Sequence, residues 1–232
     1  MKNTKSKFSF WSLIKRVFLF LLISHLAYIL ICKWINPPVT LTQLVNAVEG
    51  NGLQRDYVSI EEMSPNIKLA VMASEDQQFP DHDGFDIKAI KKAMKYNKKH
   101  PNRTRGASTI SQQTAKNVFL WQHGGFFRKG LEVYFTFMIE LIWGKERILE
   151  TYLNVAEMGK GIFGIQAASR AYFKKDASQL TRKEAAMIAA CLPNPKKFTV
   201  KPTCRYVFMR TPRIMNQMDN LQGDPDIDAL LK

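Results

Sequence analysis

Phe127-Arg128-Lys129-Gly130-Leu131-Glu132-Val133-Tyr134-Phe135-Thr136-Phe137-Met138-Ile139-Glu140-Leu141-Ile142-Trp143 sets the fold class of this chain. Leu131, Phe135, Met138 and Ile142 recur at three- and four-residue intervals, one face of an α-helix, and Gly144 supplies the stop. On the N-terminal side the same period recurs in Ser108 to Leu120 and after Asp86, a helix cap ahead of Ile87, Ile90 and Met94. Further back, Ser64-Pro65 reads as an N-cap with proline at the first helical position, ahead of Ile67, Ala70, Val71 and Ser74. On the C-terminal side, helices are expected at Lys145–Leu153, Gly164–Phe173, Thr181–Leu192 and Thr203–Leu221. β-Branched alternation is scarce, so the sequence predicts an all-α or α-dominated single domain, with room for a minor hairpin in residues 39–63.

The chain has 232 residues, enough for one substantial core, and a formal charge of +14 that calls for an anionic partner. Residues 1–36 hold six cations and no acid, so the remainder carries +8 and is basic in its own right. Residues 17–35 are nearly all apolar; at 1.5 Å per residue they span roughly 28 Å, about the hydrocarbon thickness of a bilayer. Cys32-Lys33-Trp34-Ile35-Asn36-Pro37-Pro38 offers no small-residue cleavage site, so the segment reads as an uncleaved anchor. Cations dominate before it, which keeps the tail cytoplasmic and sends everything from Pro37 onward across the inner membrane. The expected organisation is a basic tail at 1–16, the anchor at 17–35, a connecting arm at 36–63, a catalytic domain at 64–222 and a tail at 223–232. In an oxidising compartment a Cys191–Cys204 disulfide could form, though spacing alone does not decide it.

Three polar segments carry the chemistry. Glu75-Asp76-Gln77-Gln78-Phe79-Pro80-Asp81-His82-Asp83-Gly84 places a carboxylate where an apolar helix breaks into a polar loop. Gly106 to Asn117 packs Ser108, Thr109, Gln112, Gln113, Lys116 and Asn117 into one stretch, with hydroxyls at a helix start that suit an anion. Arg128 and Lys129 precede Glu132 by four and three residues. By itself that spacing gives surface ion pairs worth a few tenths of a kcal/mol. Together these groups suggest sugar chemistry beside a phosphate.

The same segments resemble the peptidoglycan glycosyltransferases. The first matches Glu-Asp-x-x-Phe-x-x-His-x-Gly at every fixed position, and the second matches Gly-x-Ser-Thr-Ile-x-Gln-Gln-x-x-Lys-Asn. Arg128-Lys129-Gly130-Leu131-Glu132 matches the third motif; Lys145 to Asn154 resembles the fourth, and Arg182 to Ala186 leading to Leu192-Pro193-Asn194-Pro195 the fifth. The likeness covers roughly residues 60–200. It implies a lysozyme-like catalytic domain behind a transmembrane helix, and an inverting polymerase of lipid II. Glu75 would be the general base toward the acceptor's 4-hydroxyl, and Glu132 the second carboxylate near the departing diphosphate. Ser108, Thr109, Gln112, Gln113, Lys116, Asn117, Arg128 and Lys129 would hold substrate, and Asp76, Phe79, His82 and Gly84 would orient the loop. One departure stands out: relatives often carry arginine where this chain has Gly124, beside His123.

No glycine-rich nucleotide loop is present, which agrees with a donor activated as a lipid diphosphate. The expected partners are lipid II, the growing lipid-linked strand, the membrane and other cell-wall synthesis or division proteins. The eight cations of residues 88–105 read as a solvated face near anionic lipid rather than a nucleic-acid site. No metal cage is visible and no cofactor is required; Mg²⁺ or Mn²⁺ could bind through substrate diphosphate oxygens. Phe119, Leu120, Trp121, Phe126 and Phe127 form an apolar cluster expected to dip into lipid. A lysozyme-type cleaving enzyme and a membrane-tethered nucleic-acid-binding protein are the alternatives.

Overall fold

Seven consecutive residues, Ile67 to Ala73, are buried in α3 (Pro65–Glu75), so this helix is enclosed on all sides. Ser64 caps it by accepting the Asn66 N–H, with Pro65 at its first position. The structure, a computed structural model, describes residues 10–122 and 124–232, so the expected tail lies mostly outside the described residues. Two compact units are present, residues 1–36 and 37–232.

The first unit holds α1 (Phe10–Cys32), a 23-residue apolar helix long enough to cross a bilayer. It starts seven residues before the expected anchor and takes in Lys15 and Arg16. Lys33 and Trp34 fall in the turn after it.

The second unit begins with the stretch read as a connecting arm, which is folded into the domain. Thr40 and Gln43 form a capping box at the start of α2 (Leu41–Val48), which packs on α5 (Ile110–Phe119). Val58 exchanges backbone hydrogen bonds with the Asn154 side chain in α7 (Lys145–Val155) at 3.1 and 2.9 Å. A three-stranded sheet also forms: β1 (Gln54–Arg55) pairs in parallel with β3 (Ile162–Phe163), which pairs antiparallel with β2 (Glu157–Gly159). The hairpin is therefore at 157–163, not within 39–63, and 39–63 contributes only the edge strand. Gly161 makes this possible: at φ 69° a Cβ would lie 2.1 Å from the Asn51 carbonyl oxygen.

α3 packs against α9 (Arg182–Cys191) and α10 (Arg205–Leu221), while α5 packs against α6 (Phe126–Ile142) and α7. Alanines at 185, 186, 189 and 190 let α9 approach closely. α4 (Ile87–Lys99), capped by Asp86, buries no residue fully and carries the basic run on its surface. Residues 97–105 are tied back: the Asn97 side chain bonds Arg105 N and O at 2.7 and 3.0 Å, and Arg105 stacks over Tyr96. α8 (Ile165–Phe173) closes the sheet side, and α11 (Pro225–Leu231) lies in the segment read as a tail. α11 packs on α3, where the buried Lys68 ammonium donates to the Leu231 carbonyl at 3.2 Å.

Two points that the sequence left open are decided by the structure. All three cysteines are free; the Cys191 thiol donates to the Met158 carbonyl at 3.1 Å, and burial pushes its pKa up to about 12. Along α6 the register of Leu131, Phe135, Met138 and Ile142 is only half-buried, and full burial falls on Glu132, Thr136 and Ile139. The other side exposes Phe126, Phe127, Val133, Phe137 and Leu141. α6 is apolar on more than one face, so its period alone could not say which face meets the core.

Candidate active site

α3 ends at Glu75 because Asp76 leaves helical geometry, at φ −161° and ψ 82°. The Asp76 carboxylate accepts the Ile110 N–H at 2.9 Å and meets His82 Nε2 at 3.0 Å. Gly84 N–H donates to His82 Nδ1 at 3.1 Å, so the ring carries its proton on Nε2 and donates it to Asp76. Gly84, at φ 86°, leaves no room for a Cβ, which would stand 2.7 Å from Thr136 Cγ2. Its carbonyl accepts the Thr109 hydroxyl at 2.7 Å. Phe79 is buried edge-on to His82, with the Lys145 ammonium over its ring. The loop after Glu75 is thereby fixed to α5, α6 and α7.

Glu75 Oε2 accepts from Gln113 Nε2 at 2.9 Å, and Gln113 Oε1 accepts from the buried Tyr152 hydroxyl at 3.2 Å. Burial pushes the Glu75 pKa up, while the Gln113 hydrogen bond and the Arg210 charge oppose the push without cancelling it. Burial likewise lowers the Lys116 pKa, and Glu132 and Glu75 both pull it back up. The Lys116 ammonium thus lies in the fields of both carboxylates.

Glu75 faces a cleft of about 720 Å³ whose walls include Ser74, Gln78, Asp86, Lys92, Ser108, Gln113, Pro193, Arg210 and Gln217. A recess of about 180 Å³ shares Gln113 and Pro193 with it and adds Lys116, Asn117, Tyr152 and Glu157. A shallower hollow of about 260 Å³ shares Ser108 and adds Arg105, Gln112 and Lys129. Glu132 is outside these walls. It is buried, bonded to Arg128 Nη1 at 2.8 Å and to the Lys129 ammonium.

Among the expected substrate-holding residues the structure draws a division. Ser108, Thr109, Gln112, Gln113, Lys116, Asn117 and Lys129 line these cavities, and Arg128 does not. Thr109 and Gln112 are engaged in a capping box at the start of α5, and Asp76 takes the Ile110 N–H. The helix start therefore has little left to offer an anion. Asn117 accepts from Gln122, which also donates to Thr42 on α2. Over Gly124 lies the Arg128 side chain, whose Cδ would be 2.8 Å from an added Cβ. Tyr152, Lys92, Arg210 and Gln217 went unnoticed in the sequence. A signal existed for the last two: they break the buried register of Val207, Thr211, Ile214 and Met218 with long polar side chains at its edge.

A helical domain with a glutamate facing a cleft rimmed by lysine, arginine and amide side chains has the groups for general-base chemistry beside an anionic leaving group. The family model described as Transglycosylase matches residues 42–219. Similar proteins named "Biosynthetic peptidoglycan transglycosylase" come from Bdellovibrio bacteriovorus, 47% identical over 89% of this chain and 84% of that protein, and from Escherichia coli, 54% identical over 73% of this chain and 70% of that one. One from Shigella boydii is 54% identical over the same shares. The chain belongs to the transglycosylase family.

Proposed function

We propose that this chain polymerises lipid II into linear glycan strands. In each cycle Glu75 takes the proton of the acceptor's 4-hydroxyl as that oxygen bonds to C1 of the donor sugar. The C1–O bond to the diphosphate breaks with its electron pair, and polyprenyl diphosphate leaves. Lys116, Arg128 and Lys129 are the cations to meet the departing charge, with Glu132 holding the last two in place. The observation that carries this reading is the chain Tyr152–Gln113–Glu75: a hydroxyl orients an amide, and the amide leaves Glu75 one oxygen for the cleft. Burial brings that carboxylate's affinity for protons closer to what a base near neutral pH needs.

A resident metal does not suit the phosphate end, because Glu132 is already paired with two cations. A divalent cation would enter on the substrate's diphosphate. α1 anchors the chain to a membrane, with its N-terminus in the cytoplasm and the catalytic unit outside the inner membrane. The exposed face of α6, together with exposed Trp121, supplies an apolar surface for lipid; Leu120 is buried and Phe119 stacks on Phe135, so neither takes part.

The deciding experiment incubates the purified chain with lipid II. Long strands and released polyprenyl diphosphate are expected; shortening of preformed strands without polymer would point to a cleaving enzyme instead.

A further inference from the structure

α2 is inverted for a surface helix: it buries Thr42, Gln43 and Asn46 and exposes Leu41, Leu44, Val45 and Val48. Its polar side has partners inside the domain, which fixes that orientation. Gln43 donates to the Tyr57 hydroxyl at 3.1 Å, the Asn46 side chain donates to the Thr42 carbonyl at 3.1 Å, and the Thr42 hydroxyl accepts from Gln122 at 2.8 Å. Between α2 and the loop after α5 lies a hollow of about 250 Å³ with Leu41, Val45 and Trp121 for its apolar walls. These three residues are 44, 44 and 39% exposed, so a ligand meets them directly. At the rim the Lys196 ammonium and the Glu49 carboxylate stand 3.7 Å apart and offset each other's charge. We propose that this hollow takes the polyprenyl chain of the donor, at the isoprene units next to its diphosphate.

Continuity selects this occupant. Thr42 and Gln122 line both the hollow and the recess that holds Lys116, while Gln113 and Pro193 line both that recess and the Glu75 cleft. The three cavities therefore run in series: carboxylate, then cation, then apolar walls. A lipid-linked donor has the same order of parts, sugar, diphosphate and hydrocarbon. The inference rests on the proposed function, in which C1 of the donor meets Glu75's acceptor and the diphosphate meets Lys116. The lipid arm of that diphosphate then leads away from Glu75, and the hollow is the apolar space next along the series. Other occupants fit less well. Phosphate is disfavoured because the Lys196 charge is offset by Glu49. A sugar needs free hydrogen-bonding groups, and Thr42 and Gln122 are already bonded to each other. Outside the hollow, exposed Leu44 and Val48 continue the apolar surface for the rest of the chain.

The test is titration calorimetry on the full chain in phosphatidylcholine nanodiscs with two probes, farnesyl diphosphate and inorganic diphosphate, and empty nanodiscs as the blank. The wild type should bind farnesyl diphosphate at least about tenfold more tightly than inorganic diphosphate, the gain from burying hydrocarbon. Leu41→Gln combined with Val45→Gln, both at exposed positions, should lose about tenfold in farnesyl diphosphate affinity and keep inorganic diphosphate binding unchanged. Tryptophan emission should shift to the blue as farnesyl diphosphate binds, and should not shift in Trp121→Phe. An unchanged preference in the double glutamine variant, an equal loss for both probes, or an emission shift that survives in Trp121→Phe overturns the proposal. So does a wild type without the preference, the result expected if bilayer acyl chains fill the hollow, and so does a preference that falls only with serine at Phe126 and Phe127, which would lay the chain along α6. Lipid II polymerisation is scored separately. Strands formed by a wild type that lacks the preference sink the tail site alone; a preference carried by α2 in a protein that forms no strand sinks the proposed function and leaves the tail site standing.

Discussion

Glu75 faces the cleft and Glu132 lies outside its walls, and their surroundings make opposite demands. Glu75 is pushed up by burial and has one amide donor; Glu132 is clasped by Arg128 and Lys129. Because burial raises the folded-state pKa of Glu75, its ionised form opposes folding above that raised value, and the opposition disappears as pH falls through it. Glu75→Gln removes the charge and should melt at or above the wild-type temperature at pH 7. Glu132→Gln should instead lower stability by about 1–3 kcal/mol, since it strips a partner from two cations; thermal melts of the two variants side by side check the contrast. Gln113 lowers the Glu75 pKa, so Gln113→Ala should move the acid limb of kcat/KM to higher pH. A base must be unprotonated to act, and without the amide it stays protonated longer as pH rises; a pH–rate profile that does not move would refute this.

Elements show where sequence reading succeeds. Helices with a local start signal, α3 behind Ser64 and Pro65 and α4 behind Asp86, are legible because the cap lies in the adjoining residues. The three-stranded sheet is not: its strands are two or three residues long, too short for a period, and β1 meets β3 only across about a hundred positions. α11 has a cap, Asp224, and a proline at its first position, but only seven residues in which to show a period. Its importance lies in Lys68, a buried lysine whose pKa is lowered by desolvation and whose ammonium donates to the Leu231 carbonyl. Deleting residues 225–232 should lower the melting temperature, and adding Lys68→Met to the deleted chain should recover part of the loss. No recovery would mean that α11 stabilises by apolar contact alone. The candidate site was legible where its residues sit in contiguous motifs. Tyr152, Arg210 and Gln217 reach the cleft only through the packing of α7 and α10 around α3 and α5, which no single segment encodes.

At the scale of the whole molecule, charge and apolar surface are arranged for a substrate that is itself half lipid. The basic run of residues 88–105 lies on α4 and the segment after it, while α6 turns Glu132 inward and Phe126, Phe127, Phe137 and Leu141 outward. Serine at Phe126 and Phe127 in residues 37–232 should reduce liposome binding about 10²-fold or more, as about 1.5–3 kcal/mol accompanies full burial of each phenyl ring; unchanged co-sedimentation would remove α6 from the membrane-facing surface. The central claim is that Glu75 activates the acceptor hydroxyl, and strand elongation from lipid II by Glu75→Gln, measured against the wild type with the melting temperature of both, tests it most directly. The expected result is a rate at least about 10²-fold lower at an unchanged or higher melting temperature, and a wild-type rate in a folded Glu75→Gln protein would contradict it.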